Sequence, residues 1–230
     1  MDAQGWQEIL SGPPETTLRW LHAAAEQGVI EAQVHLAQRY LEGKGCQADP
    51  AHAVPWLRLA ASEGHPMGMN LLGRCYENAW GLKKDAVMAT YWFRHAALAG
   101  LDWGLYNYAT SLALGRGTPV DHAQARTFFQ QAANQGHAKS WNFLGSFHED
   151  GWAGERDLEQ ALDCYLRAAQ GNDFRGAFNA ARLLAEQGQN DRALPLLQQA
   201  WRLGHSAFQE QMRDYIATHY PQEWQDTVTA

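Results

Sequence analysis

The chain has 230 residues, a net charge of −7 and three cysteines. Binding to a phosphate backbone requires clustered Lys and Arg, and the sequence contains no such run, so we expect no nucleic-acid partner. The amino terminus has neither a basic n-region nor an apolar h-region, and no apolar stretch approaches the length of about eighteen residues that a membrane helix needs. An odd number of cysteines provides no disulfide framework. We therefore expect a soluble, cytoplasmic protein without a membrane segment.

The dominant pattern of the sequence is an internal repeat of 36 residues. A fixed period of this length is typical of a helical unit that buries its apolar face only by stacking against its neighbours. Two small residues and a helix-ending Gly or Asn follow one recurring position in each copy. This position, the aromatic position below, is occupied by Trp20, Trp56, Trp92, Phe128 and Cys164, and after a shorter step by Leu196.

The copy from Gly100 to Gly136 predicts a helical hairpin. Residues 101–114 place apolar side chains at steps of three and four, which indicates an amphipathic helix, named A here. Gly115–Pro119 is dense in helix breakers, and Asp121 follows as a natural N-cap for a second helix, named B. Gly136 supplies the left-handed residue that ends helix B.

In chain order, we predict a degenerate capping segment at residues 1–15, a repeat solenoid at 16–220 and a loosely held tail at 221–230. Because the periodicity runs without a linker, we expect one elongated domain, wound as a right-handed superhelix without strands. The aromatic position predicts that Trp56 and Trp92 are buried between helices. Helices are predicted near 16–27, 30–42, 50–63, 66–78, 86–99, 102–114, 122–135, 138–150, 158–170, 174–187, 191–203 and 206–220.

The repeat resembles the Sel1-like repeat family, a branch of the tetratricopeptide-type α-solenoids. The resemblance covers about residues 16–220 and implies an all-α fold, an α-α superhelix of helical hairpins. Two turns depart from the motif, because Ala79 replaces the first turn glycine and residues 150–154 shift the second, which we expect to weaken the exact loop geometry of those copies more than the fold. The motif residues of the best-fitting copy are Ala32, Leu36, Ala37, Tyr40, Gly43, Gly45, Asp49, Ala53, Trp56, Ala60 and Ala61.

Few residues suggest chemistry. His65, His137 and His205 each follow the residue that ends a B helix, so they are interpreted as features of the turn rather than as metal ligands. Cys164 occupies the aromatic position and is expected to be a buried small hydrophobe. Turns such as Gly43-Lys44-Gly45 recur with the period and lack the strand that precedes a phosphate loop. We expect no metal, no cofactor and no enzymatic activity.

In tetratricopeptide-like solenoids the A helices line the concave side, so a partner is expected there. Counted from the residue that ends the preceding B helix, positions +3, +6, +7 and +10 are predicted to face this groove. Their aromatic, basic and amide side chains have the composition of a recognition surface, although an aromatic residue there could instead pack against the next repeat. The candidate protein-binding residues are Asn70, Arg74, Trp103, Tyr106, Asn107, Lys139, Asn142, Arg175, Phe178, Asn179 and Arg182.

Two functions from different classes are consistent with this pattern. The first is a scaffold or adaptor that binds a protein segment in the concave groove, with asparagines pairing with its backbone and cations receiving acidic groups. The alternative is a regulatory or accessory subunit of an enzyme, or a homo-oligomer, that associates through a flat face or through the capping helices. Trp80 and Trp152 lie in A-to-B turns and are candidates for a second contact or for lids over the turn.

Overall fold

A computed structural model describes residues 3–152 and 154–229. All regular structure in these ranges is α-helical. In chain order the helices are α1 Ala3–Leu10, α2 Pro14–Glu26, α3 Ile30–Glu42, α4 Pro50–Ser62, α5 Pro66–Asn78, α6 Ala86–Leu98, α7 Asp102–Leu114, α8 His122–Asn134, α9 Ala138–Asp150, α10 Leu158–Gln170, α11 Phe174–Glu186, α12 Asn190–Leu203, α13 Ser206–His219 and α14 Gln222–Thr229.

Backbone contacts divide the chain into two compact units, residues 1–121 and 122–230. In the first unit each helix from α1 to α7 packs against the next, and the A helices α5 and α7 also touch. In the second unit α8 to α12 pack in the same consecutive way, α9 touches α11, and α14 packs on α12 and α13. In both units, a B helix such as α6 or α10 therefore lies between two A helices.

The twelve predicted helices are confirmed, with ends within two residues of the predicted ones. Local signals explain this accuracy. Asp49, Asp85 and Asp157 accept hydrogen bonds from backbone N–H groups in the first turn of their B helices. Left-handed residues end the A helices α3, α5, α7 and α9, and Ala79, at φ 59°, adopts the conformation that Gly43 has at φ 70°. The turn at Ala79 therefore keeps the glycine geometry, contrary to the expectation for its loop geometry, although a left-handed alanine costs more free energy than a left-handed glycine.

The second turn glycine has a separate role, which Gly117 illustrates. Its φ is +70°, and its Cα lies so close to the carbonyl of Ala86 that any Cβ would overlap that backbone group. Gly81 stands in the same relation to Pro50. The Gly-x-Gly pattern thus combines a left-handed helix end with a close backbone approach to the B helix of the preceding repeat.

The buried centre of each B helix is one residue beyond the aromatic position. Trp56 and Trp92 are half-buried, so the prediction that both are enclosed between helices is wrong. Each helical step turns the side chain by about 100°, so the residue after the aromatic position points between the two neighbouring A helices. These central residues are at most 1% exposed and are Leu21, Leu57, Phe93, Phe129, Tyr165 and Leu197.

The size of the central residue is matched by a small residue on the preceding A helix. A Cβ on Gly73 would collide with the ring of Phe93, and one on Gly145 would collide with the ring of Tyr165. The copy with Ala37 at the equivalent position has the smaller Leu57 as its central residue. At Gly73 and Gly145 the missing A-helix side chain therefore makes room for a large ring on the next B helix, as close packing requires, whereas Phe129 lies opposite Ala109.

The carboxyl end is helical over residues 222–229, where the sequence predicts a loosely held tail at 221–230. Residues 222–229 form α14, in which Val228 is 3% exposed and Trp224 stacks on Tyr220 with ring centroids 4.7 Å apart. Trp224 and Val228 are four residues apart and so share one helix face. Two apolar residues were too few to predict this helix from periodicity, and its formation depends on the α12 and α13 surfaces that it covers.

Candidate protein-binding site

The predicted groove positions separate into exposed and buried sets. At +3, Trp103, Lys139 and Arg175 are exposed. At +6, Asn70 and Asn142 are buried between neighbouring A helices, with 3% and 9% of their surface exposed. The groove stripe is therefore accessible along one edge and packed along the other.

The four predicted asparagines form two hydrogen-bonded pairs between successive A helices. The Nδ2 atom of Asn107 donates to Oδ1 of Asn70 over 2.8 Å, and Nδ2 of Asn179 donates to Oδ1 of Asn142 over 2.9 Å. Buried amides need partners, and these pairs satisfy part of that need within each unit. Their main contribution is to hold A helices in register.

The first unit contains a depression of about 410 Å³ between α3, α5 and α7. Trp103 contributes one wall and is 38% exposed, and its ring meets that of Tyr106 edge-on with centroids 6.1 Å apart. The guanidinium of Arg74 lies 4.9 Å from the ring centroid of Trp80. The lining residues are Gln38, Leu41, Glu42, Pro50, Met67, Asn70, Leu71, Arg74, Trp80 and Trp103.

Trp80 belongs to this depression, although the sequence suggested a separate contact in a turn. The N–H of Trp80 donates to the carbonyl of Cys75 over 3.0 Å, and the left-handed Ala79 before it turns the chain back over the end of α5. The ring then lies beside Arg74 rather than away from the groove. A bulky aromatic residue directly after a left-handed helix end was the signal that could have indicated this position.

In the second unit the guanidinium of Arg182 is paired with acidic side chains of its own chain. Its Nη2 atom donates to both carboxylate oxygens of Glu149, at 2.6 and 2.7 Å, and Nη1 donates to Glu186 at 3.0 Å. The hydroxyl of Tyr165 donates to the same Glu149 carboxylate over 2.8 Å. Burial lowers the pKa of Arg182, but hydrogen bonds and charges from Glu149 outweigh it and the pKa is raised. Arg182 therefore stabilises the packing of α9, α10 and α11.

Phe178 also packs internally. Its ring meets those of Phe208 and Tyr215 edge-on, with centroids 5.8 and 5.1 Å away. Both partners lie on α13, the next A-type helix, so at this position the alternative interpretation of an aromatic packed against the following repeat describes the contact. Arg175 is exposed and lies over the ring of Phe174 at 4.6 Å.

The turn residue Asp173 is a buried N-cap between Arg175 and Lys139. It is 5% exposed and accepts a hydrogen bond from the N–H of Gly176 over 2.9 Å. Burial raises the pKa of this carboxyl above its ordinary 3.8, although the hydrogen bond and the two cations act in the opposite direction. The native state thus binds the proton more tightly than the unfolded chain does.

We predict that Asp173→Asn is more stable than the parent at pH 7. Asparagine caps helices as well as aspartate does and carries no charge to bury. For a raised carboxyl pKa, the stability contribution falls as pH rises above 3.8, so the variant's advantage should disappear below that pH. Urea unfolding of both proteins between pH 3 and 7 measures the difference, and a variant that is less stable at pH 7 would contradict the prediction.

Other predicted features have structural partners. The Nδ1 atoms of His65 and His205 accept hydrogen bonds from N–H groups in the first turn of α5 and α13, which confirms their assignment to the turns. Cys75 and Cys164 are buried, and burial raises the pKa of each thiol to about 11. Trp152 stacks on His122 with centroids 5.1 Å apart and so covers the start of α8.

Two features are absent from the described part of the chain. Among these residues, no group of three or more His, Cys, Asp or Glu side chains is arranged to hold a metal ion. None of the helices in these ranges combines the length and the apolarity that crossing a membrane requires.

Comparisons with solved structures identify similar folds. A Sel1 repeat protein from Oxalobacter formigenes gives a TM-score of 0.83 at 22% identity, covering 98% of this chain and 96% of its own. A protective antigen with an SLR fold, present in uropathogenic Escherichia coli strains, gives a TM-score of 0.74 at 25% identity, covering 94% of this chain. The match covers 47% of the antigen, so this chain spans about half its length.

The family assignment rests on sequence as well as fold. The Sel1 repeat profile matches residues 14–29, 30–65, 66–101, 104–137 and 142–173. A comparison with curated proteins gave no match. The profile boundaries fall close to the predicted 36-residue period and cover more than half of the sequence. The chain belongs to the Sel1 repeat family, with the helical-repeat solenoid fold of that family.

Proposed function

We propose that the protein is a non-enzymatic scaffold or adaptor that binds a segment of a partner protein in the groove formed by its A helices. The observation that carries the proposal is the depression between α3, α5 and α7, in which Trp103, Trp80 and Arg74 converge. Tryptophan and arginine are enriched among the residues that dominate binding energy at protein interfaces. Sel1 repeats commonly serve as protein-interaction scaffolds, which supports the same conclusion.

The lining of the depression indicates what kind of segment would bind. Met67 and Leu41 add apolar surface to that of the two tryptophans, which favours a large apolar side chain. Arg74 provides a cation at the edge, where an acidic group of the segment could pair with it. The proposed contacts do not include Arg182, Asn70 or Asn142, because the polar groups of these residues already form hydrogen bonds within the protein. Lys139 and Arg175 remain accessible candidates in the second unit.

Trp103→Ala tests the proposal. We expect the variant to lose about 2 kcal/mol or more of binding free energy, because the substitution removes the most exposed aromatic wall of the depression. Partners would be captured from the native host with the parental chain, and the affinity of each captured protein would then be measured by titration calorimetry against both chains.

Trp152→Ala is the matched control, since Trp152 is 39% exposed, lies in a turn and is absent from the lining of the depression. Thermal melting would establish that both variants are folded. A partner that binds Trp103→Ala with parental affinity, or that is lost equally from both variants, would place the site elsewhere.

The alternative is association through a flat face or the end helices, either as an accessory subunit or as a homo-oligomer. Deleting an end would not separate this alternative from misfolding, because Val228 is buried and Trp6 packs against Trp20 at 5.6 Å. Light scattering of the intact chain over a range of concentrations tests self-association directly. A mass that rises above the 25.7 kDa of one chain would favour the homo-oligomer.

A further inference from the structure

Helix α6 has an exposed apolar face that its neighbours do not cover. Val87, Tyr91 and Leu98 are 64%, 49% and 65% exposed, although α5 and α7 pack on the other side of the helix. At about 100° per residue, these three side chains and Arg94 lie within an arc of about 60°. Large apolar groups gathered on one exposed face mark an interaction surface more often than isolated ones do.

The corresponding positions of other B helices are small or polar. On α4, α8 and α10, one repeat before and one or two repeats after α6, the residues equivalent to Val87 are Ala51, Ala123 and Glu159. The residues equivalent to Tyr91 are Pro55, Thr127 and Asp163. The residues equivalent to Leu98 are Ser62, Asn134 and Gln170. A residue required by the hairpin itself would recur with the period, as the central core residues do. The apolar face is therefore particular to α6 and is not part of what folds the repeat.

The exposed face of α6 carries a cation and no carboxylate, although the protein as a whole is acidic. Neither α4 nor α6 contains an aspartate or glutamate, and Arg58 and Arg94 occupy equivalent exposed positions on the two helices. Among the described residues, no ion pair involves either guanidinium. On α4, Leu59 next to Arg58 is 48% exposed. The chain as a whole carries −7, so this local cationic character is a contrast with its average.

We propose that the outer face of α6, formed by Val87, Tyr91, Arg94 and Leu98, docks an acidic amphipathic segment of a partner protein. The apolar side of the segment would cover Val87, Tyr91 and Leu98, and a carboxylate would pair with Arg94. This surface lies on a B helix and is distinct from the A-helix depression, so the chain could hold two proteins at once.

Charge favours a protein segment over the two other occupants of such a face. An anionic bilayer would attract the two arginines but repel a chain of net charge −7. A second copy would have to offer an acidic amphipathic face of its own. The α10 positions equivalent to the α6 face are Glu159, Asp163, Leu166 and Gln170, so a second copy would offer a single, half-buried leucine there.

The experiment uses two fluorescent helical peptides of about 18 residues, long enough for partial helicity in isolation. Both carry leucine along one face; one has glutamate on its flanks and the other has lysine. Fluorescence anisotropy with the full chain should show binding of the glutamate peptide that weakens with salt, and at least tenfold weaker binding of the lysine peptide.

The variant Val87→Glu, Tyr91→Asp, Leu98→Gln introduces the residues that α10 has at the same register, so the hairpin pattern is retained. It should bind the glutamate peptide at least tenfold more weakly than the parent. Arg94→Gln should weaken binding and reduce its salt dependence. Trp103→Ala, which changes the A-helix depression, should bind as the parent does. Thermal melting would confirm that each variant is folded.

Several results would overturn the proposal. These are failure of the parent to bind the glutamate peptide, equal binding of both peptides, or parental binding by the triple variant. Loss of binding in Trp103→Ala would move the peptide to the A-helix depression. Binding to phosphatidylserine vesicles, or self-association measured by light scattering, that the triple variant abolishes would assign the α6 face to a membrane or to a second copy.

Discussion

Replacing Phe93 by alanine is expected to lower the free energy of unfolding by about 3–5 kcal/mol, more than the same replacement of Trp92. Phe93 is 1% exposed and its ring fills the space left by Gly73, so its removal leaves a cavity that the rigid A helices cannot close. Trp92 is half-buried, and solvent can replace part of what its ring contacts. The order of the two effects tests the assignment of the central core residue.

Urea unfolding followed by circular dichroism gives both values, provided that the m-value is unchanged. Repeat arrays can lose cooperativity, so calorimetry should accompany the titration. Val87→Ala on the exposed side of the same helix is the control and should change stability by about 0.5 kcal/mol or less. A larger loss of unfolding free energy for Trp92→Ala than for Phe93→Ala would mean that the aromatic position, rather than the residue after it, is the centre of the core.

Glu149→Ala, which removes the carboxylate, is expected to lower the free energy of unfolding by about 3 kcal/mol. This is the lower end of the range for breaking a buried ion pair. The carboxylate accepts hydrogen bonds from Arg182 and from the hydroxyl of Tyr165, and the two charged side chains are only 16% and 19% exposed. Without it, the Tyr165 hydroxyl and one edge of the guanidinium lose their partner. Glu186 still pairs with Arg182, which limits the loss.

A double-mutant cycle separates the ion pair from simple loss of packing. Arg182→Met removes the cation while keeping a long apolar side chain, and the variant with both substitutions leaves no unpaired charge. We expect the double variant to be more stable than the sum of the two single losses implies. Additive effects would mean that Glu149 and Arg182 are not coupled, and Arg182 would return to the set of candidate partner contacts.

The predicted contact residues differ in whether they are open to a binding partner. The sequence places aromatic, basic and amide residues on one stripe of the A helices, and the pattern does not distinguish open positions from packed ones. The structure separates Trp103 and Arg74, which border an open depression, from Arg182 and Asn142, whose polar groups are paired internally. Burial is decided by the neighbouring helix, so a pattern within one helix could not make this distinction.

The hairpins, their order and nearly all of their ends were determined by the sequence alone, because the signals are local. Asp49 caps the helix that it precedes, and Gly43 ends the helix that it follows, each through bonds that span a few residues. The 36-residue period then implied stacking, since an amphipathic hairpin cannot bury its apolar face by itself. These features needed no knowledge of which side chains meet.

Contacts between elements were decided only by the tertiary structure. Whether Trp92 or Phe93 is central depends on where two A helices lie around α6, and the helical form of residues 222–229 depends on the surface of α12 and α13 that covers Val228. The pairing of Asn107 with Asn70 across 37 residues likewise joins positions that no local rule connects. Helical periodicity specifies which side chains share a face, but the partner of that face, and therefore what remains open to bind another protein, is set by how the helices pack.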